Sequence, residues 1–224
     1  ARGLVLFILG LVKKVFLADE LAPIADAGFA LASAAVAPGA EVAWQGALAY
    51  SLQLYFDFSA YSDMAMGLAA IFGFDLPLNF NSPYRATSIR EFWRRWHMTL
   101  SRFLRDYVYI PLGGSRAGVA RTYVVALFTM LLCGLWHGAG WTFVVWGGFH
   151  GAAVCCNRMW MGTHYRLPPI VGWAVTMLFV VIGWVLFRAE DFGVATGIIA
   201  AMFGAGGDGV PNRDAWAMVL LGLA

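Results

Sequence analysis

Few residues in this chain could do chemistry, and the most telling is a histidine. His137 lies in LLCGLWHGAGW, inside a run from Thr122 to Val154 that contains no Asp, Glu, Lys or Arg. Read as helix from Thr122, it falls about 22 Å along the axis. An imidazole has the basicity that proton transfer near neutral pH requires. At membrane depth it is costly unless a partner or a function retains it. His137 can therefore act as a general base on a hydroxyl, join a proton relay, or pair with a neighbouring helix. His150 would sit about 220° away around a continuous helix, so it does not share that face and is the lesser candidate. His164 falls in a polar, Arg-flanked loop and is expected to be solvated.

Two further groups invite a functional reading. Gln53, Asp57 and Tyr61 recur at every fourth residue, with Asp63 just beyond, in an otherwise apolar stretch from Val42 to Phe74. Carboxylates at membrane depth face a protein interior or an aqueous cavity, so Asp57, Tyr61 and Asp63 either tie helices together or belong to a site. From Arg90 to Tyr109, Phe92, Trp93, Trp96, Leu100, Phe103, Leu104 and Tyr107 recur at spacings of three and four, opposite Arg94, Arg95, Arg102 and Arg105. That pattern predicts a basic amphipathic helix along the membrane surface. Its arginines can anchor it there or hold the phosphates of a donor such as coenzyme A. His97, on its aromatic side, is either a packing residue or a catalyst.

Other chemistries lack their residues. There is no GxSxG, P-loop or dinucleotide motif, and the four histidines show no i, i+4 pair for zinc, so no metal is expected. Cys133, Cys155 and Cys156 offer neither a disulfide framework nor a CxxC pattern and are read as packing residues.

The elements that must position these residues belong to a membrane protein. Of 224 residues, 61% are hydrophobic and 12% charged, against about 45–50% and 25% in soluble domains. That excludes a soluble enzyme, a disordered segment and a nucleic-acid-binding domain. The formal charge of +2 conceals an asymmetry. Eight arginines face only Glu91 and Asp106 between Arg85 and Arg121, whereas the rest of the chain has seven basic and eleven acidic residues. An arginine-rich short loop is expected to stay in the cytoplasm.

Residues 4–18 read as the end of a helix, with Lys13 and Lys14 at an interface, and residues 22–41 as a loop with a short helix. Val42–Phe74 is too long for one perpendicular span, so a tilted or broken helix, or a span followed by an interfacial piece, is expected. The uncharged run 122–154 is too long for one span and too short for two plus a turn, so it must tilt, bend or re-enter, helped by its glycines. Ile170–Phe187 gives the cleanest transmembrane helix. Both ends break inside apolar runs, as in a fragment. On residues alone, an acyltransferase with His137 as base and a transporter relaying protons through Asp57, Asp63 and His137 both fit.

Three segments resemble a known family: FDFSAYSDMAMG (56–67), LPLNFNSPYRATSIREFWRRWHMTLSRFLRDYVYIPLGG (76–114) and LLCGLWHGAGWTFVVWGGFHG (131–151). They are similar to the membrane-bound O-acyltransferase (MBOAT) family, above all its branch serving bacterial alginate O-acetylation. The resemblance implies an all-α, polytopic bundle of short tilted or re-entrant helices, with residues 1–224 part of one transmembrane domain. Within it, 85–121 form the basic cytoplasmic helix and loop, and 122–154 the catalytic segment. It implies His137 as catalytic base and His97 as a second functional histidine. Asp57, Tyr61, Asp63, Arg94, Arg95, Trp136 and Trp141 are then candidates for binding substrate or donor. No bound cofactor is expected. Acetyl-CoA would be the donor, an exported polysaccharide such as alginate the acceptor, periplasmic acetyltransferases the partners, and the bacterial inner membrane the location. D-alanyl transfer to teichoic acid is the alternative within the family, and an acyl transporter or channel without chemistry of its own is the other alternative.

Overall fold

The computed structural model describes residues 1–34, 36–116, 118–207 and 213–223. Ala35, Ala117 and Ala224, which fall in stretches read above as loop, basic segment and terminal apolar run, lie outside the described residues. Every regular element among the described residues is helical. They divide into two compact units, residues 1–77 with 188–224, and residues 78–187.

In the first unit, α1 (Arg2–Lys13) runs through a π-helical turn (Lys14–Ala18) into α2 (Asp19–Ser33). The loop expected from residue 22 is therefore helix as far as Ser33. Pro23 lies inside this continuous helical run, five residues past the end of the π-helical turn. α3 (Ala40–Ile71) is one unbroken helix of 32 residues, about 48 Å long, rather than a broken one.

The α1–α2 run packs antiparallel along α3, brought close by small residues. A Cβ on Gly3 would lie 2.6 Å from the Gly67 carbonyl oxygen, and one on Gly10 2.7 Å from that of Ala60. Such small-residue seams let helix backbones approach where lipid provides no hydrophobic drive. Two short helices, α9 (Phe192–Met202) and α10 (Arg213–Leu223), also pack on α2 and α3. The Trp44 indole N–H donates to the Met202 carbonyl at 2.9 Å, and Arg188 pairs with Asp26 at 2.7 Å.

The lysine pair reaches across to α3. Lys13 pairs with Asp63 and donates to Ser59 Oγ at 3.1 Å, while Lys14 holds Asp57 at 2.8 Å and Asp19 at 2.7 Å. Breaking one partner of a partly desolvated pair strands the other charge. Lys13→Glu alone is expected to lower the amount of folded protein in membranes, and Lys13→Glu with Asp63→Lys to recover it. Quantitative immunoblotting of the two variants checks this.

In the second unit, α6 (Val119–His137) and α7 (Trp141–Met161) form a tight antiparallel hairpin joined by Gly138–Ala139–Gly140. The uncharged run thus bends back on itself at this link, and its two helices extend past its ends to include Arg121 and Arg158. Gly134 and Gly147 meet at the seam, where a Cβ on either would run into the opposite backbone carbonyl, of Phe143 and Met130 respectively. α6 and α8 (Pro169–Arg188) are long and apolar enough to cross a membrane, with mean hydropathies of 1.7 and 2.4, and α8 matches the expected span.

The predicted amphipathic helix is two helices. α4 (Ile89–Arg95) and α5 (Met98–Leu104) are broken at Trp96–His97, and α5 continues through a π-helical turn, Arg105–Tyr109. Much of its aromatic side is protein core: Phe92 is fully buried and Trp96 nearly so, stacked near Trp184 and His150. Ser88 caps α4 by accepting the Glu91 N–H at 3.2 Å. Glu91 in turn accepts from the Thr87 N–H and hydroxyl and from Arg95, and these bonds, the Thr87 N–H foremost, hold its carboxyl below the usual range.

Candidate active site

His137 is the last residue of α6, at the closed end of the hairpin, beside the glycine-flanked link. Its ring stands edge-on to three aromatic side chains: Trp136 at 4.9 Å between centroids, Trp146 at 5.3 Å and Phe187 at 5.1 Å. These fix the ring by packing and leave its nitrogens unclaimed, since no hydrogen bond to them occurs among the described residues. The side chain is half-buried, so the nitrogens remain within reach of a ligand. Trp136 and Trp141, 63% and 74% exposed, flank it on either side of the link.

His97 occupies the break between α4 and α5 with φ 42° and ψ 54°, a left-handed conformation that a non-glycine residue adopts only when its surroundings enforce it. The enforcing residue is Asn79, from the extended segment ahead of α4. Its carbonyl accepts the Met98 N–H at 2.9 Å, and its side-chain Oδ1 accepts the Thr99 N–H at 3.2 Å and the Thr99 hydroxyl at 2.9 Å. The α5 N–H groups are thus capped from another part of the chain.

The same Oδ1 lies 3.1 Å from His97 Nδ1. Because backbone N–H can only donate, it fixes which amide atom of Asn79 is the oxygen. Nδ1 must then be the protonated nitrogen, and the lone pair is on Nε2. The ring faces Trp136 at 6.4 Å, which brings His97 and His137 to the same Trp136 ring. Burial first, and then the neighbouring His137, push the His97 pKa down to about 4, so it is neutral at pH 7.

His150 is fully buried and accepts the Trp93 indole N–H on Nδ1 at 3.3 Å. Its Nε2 faces Gly183, where a Cβ would stand 2.8 Å away, so no substrate hydroxyl can approach. It is a core histidine. His164 is exposed, as expected. Of the cysteines, Cys133 is buried and Cys155 half-buried, but Cys156 is exposed and so does not pack inside.

The remaining candidates separate. Asp57 and Asp63 are held by the lysine pair in the first unit, where Tyr61 is 65% exposed. Arg95 is occupied by Glu91 at 2.8 Å and the Asn81 carbonyl at 3.1 Å. Arg94 is exposed and lines a basic cavity with Arg90, Arg102 and Arg105. The sequence reading missed Asn79, Trp146 and Phe187. Asn79 lies in the NFNSPY segment, but nothing in the chain order announces its pairing with residues 97–99.

The family model for "MBOAT, membrane-bound O-acyltransferase family" matches residues 1–200. The chain belongs to the membrane-bound O-acyltransferase family. Among MBOAT relatives, it is 51% identical over 207 residues to a protein of Azotobacter vinelandii named "Probable alginate O-acetylase AlgI", covering 92% of this chain and 41% of the relative. It is 46% identical over 211 residues to the peptidoglycan O-acetyltransferase of Helicobacter pylori, with 92% and 40% covered. It is 32% identical over 160 residues to the teichoic acid D-alanyltransferase of Bacillus subtilis, with 64% and 40% covered. The chain therefore spans about two fifths of the length of these curated MBOAT relatives.

Proposed function

We propose that this chain carries the acyl-transfer centre of an O-acyltransferase that moves acetyl from a cytoplasmic thioester, acetyl-CoA, towards hydroxyls of an exported polysaccharide such as alginate. The observation that carries the reading is His137: a half-exposed imidazole, clamped by three aromatic rings, with its nitrogens left to a ligand. A neutral imidazole takes the proton of the acceptor hydroxyl as its oxygen attacks the acyl carbonyl. The C–S bond of the thioester then breaks, and the proton passes to the departing thiolate. His97, neutral with its lone pair on Nε2, is placed to bind or orient one of the reactants. Trp136 and Trp141 form the rim around the acceptor, and Arg94 meets donor phosphates. Arg95 serves the donor side by holding the loop, and Asp57 and Asp63, on the same helix as Tyr61, hold α3 to the lysine pair within the first unit.

The exposed apolar side chains of α1, including Leu4, Ile8 and Leu11, and of α6, including Val124, Phe128 and Leu135, suit a multi-pass protein of the bacterial inner membrane. The arginines of the 85–121 segment at Arg90, Arg105 and Arg121 face the cytoplasm while His97 reaches inward to Trp136, and periplasmic acetyltransferases complete delivery to the polymer.

The likeness to a peptidoglycan O-acetyltransferase favours a second acceptor, the glycan of the cell wall. The test is a strain lacking the protein, complemented or not, with O-acetyl groups measured on both secreted polysaccharide and purified cell wall. Acetylation restored on the secreted polymer alone supports the reading. Restoration only on the wall moves the acceptor, D-alanyl esters on teichoic acid instead would place the chain in the other branch, and no change in any ester defeats the acyl-transfer assignment.

Asn79→Ala is expected to lower acetyl transfer by about 10-fold or more, since it removes both the α5 cap and the His97 orientation. Asn79→Asp keeps the acceptor oxygen and should retain most activity. Initial rates in membranes of matched protein content check both.

A further inference from the structure

A cavity of about 330 Å³ lies in the second unit among α4, α5 with its π turn, α6 and α7. Arg90, Arg105 and Arg158 stand around it, all exposed, while Leu104, Met130 and Val154 line its depth. Arg105 is paired with Asp106 at 2.7 Å, but Arg90 and Arg158 form no ion pair among the described residues. A second cavity, of about 490 Å³, shares Arg90 and Arg105 and adds Arg94 and Arg102. A ring of guanidinium groups opening on an apolar cleft is complementary to a phosphate that carries a hydrocarbon chain.

We infer that this cavity binds one anionic phospholipid, its phosphate on Arg90, Arg105 and Arg158 and one acyl chain in the cleft beside Met130. The ridge next to it fits a lipid rather than a water-soluble phosphate. Phe103, Tyr107 and Ile110, on the same α5 segment as Arg105, are 55%, 71% and 55% exposed, as side chains at a bilayer interface are. The cavity is not the reaction centre. Its α6 wall ends at Met130, seven residues and about 10 Å of helix short of His137. The inference leaves the His137 centre untouched, but it assigns Arg90 and Arg105 to the lipid and leaves donor phosphates to Arg94 and Arg102 in the second cavity.

The test is native mass spectrometry of the purified protein in mild detergent, titrated with phosphatidylglycerol or phosphatidylcholine, with acetyl-CoA as competitor. Expected is one phosphatidylglycerol bound in preference to phosphatidylcholine, and not displaced by acetyl-CoA. Arg90→Gln with Arg158→Gln should weaken it by about 10-fold or more, because two charge-assisted contacts are lost. Arg166→Gln, in the polar loop away from the cavity, should leave it unchanged. Met130→Trp, which fills the cleft, should weaken binding while the arginines stay intact. Equal retention of both lipids, or indifference to the double substitution, overturns the proposal. Displacement by acetyl-CoA also overturns it, and makes the cavity a donor site instead.

Discussion

His137→Ala should abolish O-acetylation of the polymer, with the transfer rate falling by about 10²–10⁴-fold, the range expected when a positioned general base is lost. The protein should still reach the membrane in normal amount, because His137 is half-exposed and makes no hydrogen bond among the described residues. His150→Ala should behave in the opposite way. That side chain is wholly buried among Trp93, Trp146 and Phe179, so its truncation leaves a cavity and strands the Trp93 indole donor. Its loss is expected in abundance and thermal stability, with activity per folded molecule largely kept. Ester analysis normalised to membrane-inserted protein separates the two. Full acetylation by His137→Ala would shift the proton transfer to His97 and revive the reading of the chain as a conduit for acyl groups.

The second large effect falls on folding. Gly147→Leu should prevent the α6–α7 hairpin from closing, because even a Cβ there collides with the Met130 carbonyl and with Gly134. A flexible side chain could move aside, but backbone cannot, so the helices must separate along the seam. The cost should exceed about 3 kcal/mol, the upper end of ordinary overpacking. Little folded protein is then expected, judged by size-exclusion chromatography of detergent extracts. Gly148→Leu is the comparison: its nearest neighbour is the tip of Leu131 at 3.3 Å, a flexible group, so that variant should be recovered in useful yield. Normal recovery of Gly147→Leu would mean that the hairpin seam is not closely packed.

The contrast between these two glycines marks the boundary of what chain order can convey. Composition and periodicity determined the helical class and the long apolar helix α8, and singled out a histidine in an uncharged run, because apolar content and local spacing follow directly from burial in lipid or core. The three motifs determined the family because a motif is read from residue identities alone, wherever the backbone goes. The tertiary structure alone decided the break at His97. By periodicity α4 and α5 are one helix, and only Asn79, arriving from eighteen residues away, supplies the acceptors that make the break affordable. It also decided that Lys13 and Lys14 meet Asp63 and Asp57, that His150 is core, and that Trp146 and Phe187 wall the His137 ring. Each of these is a pairing between distant segments, set by which surfaces can approach closely, and spacing along a single element carries no record of it.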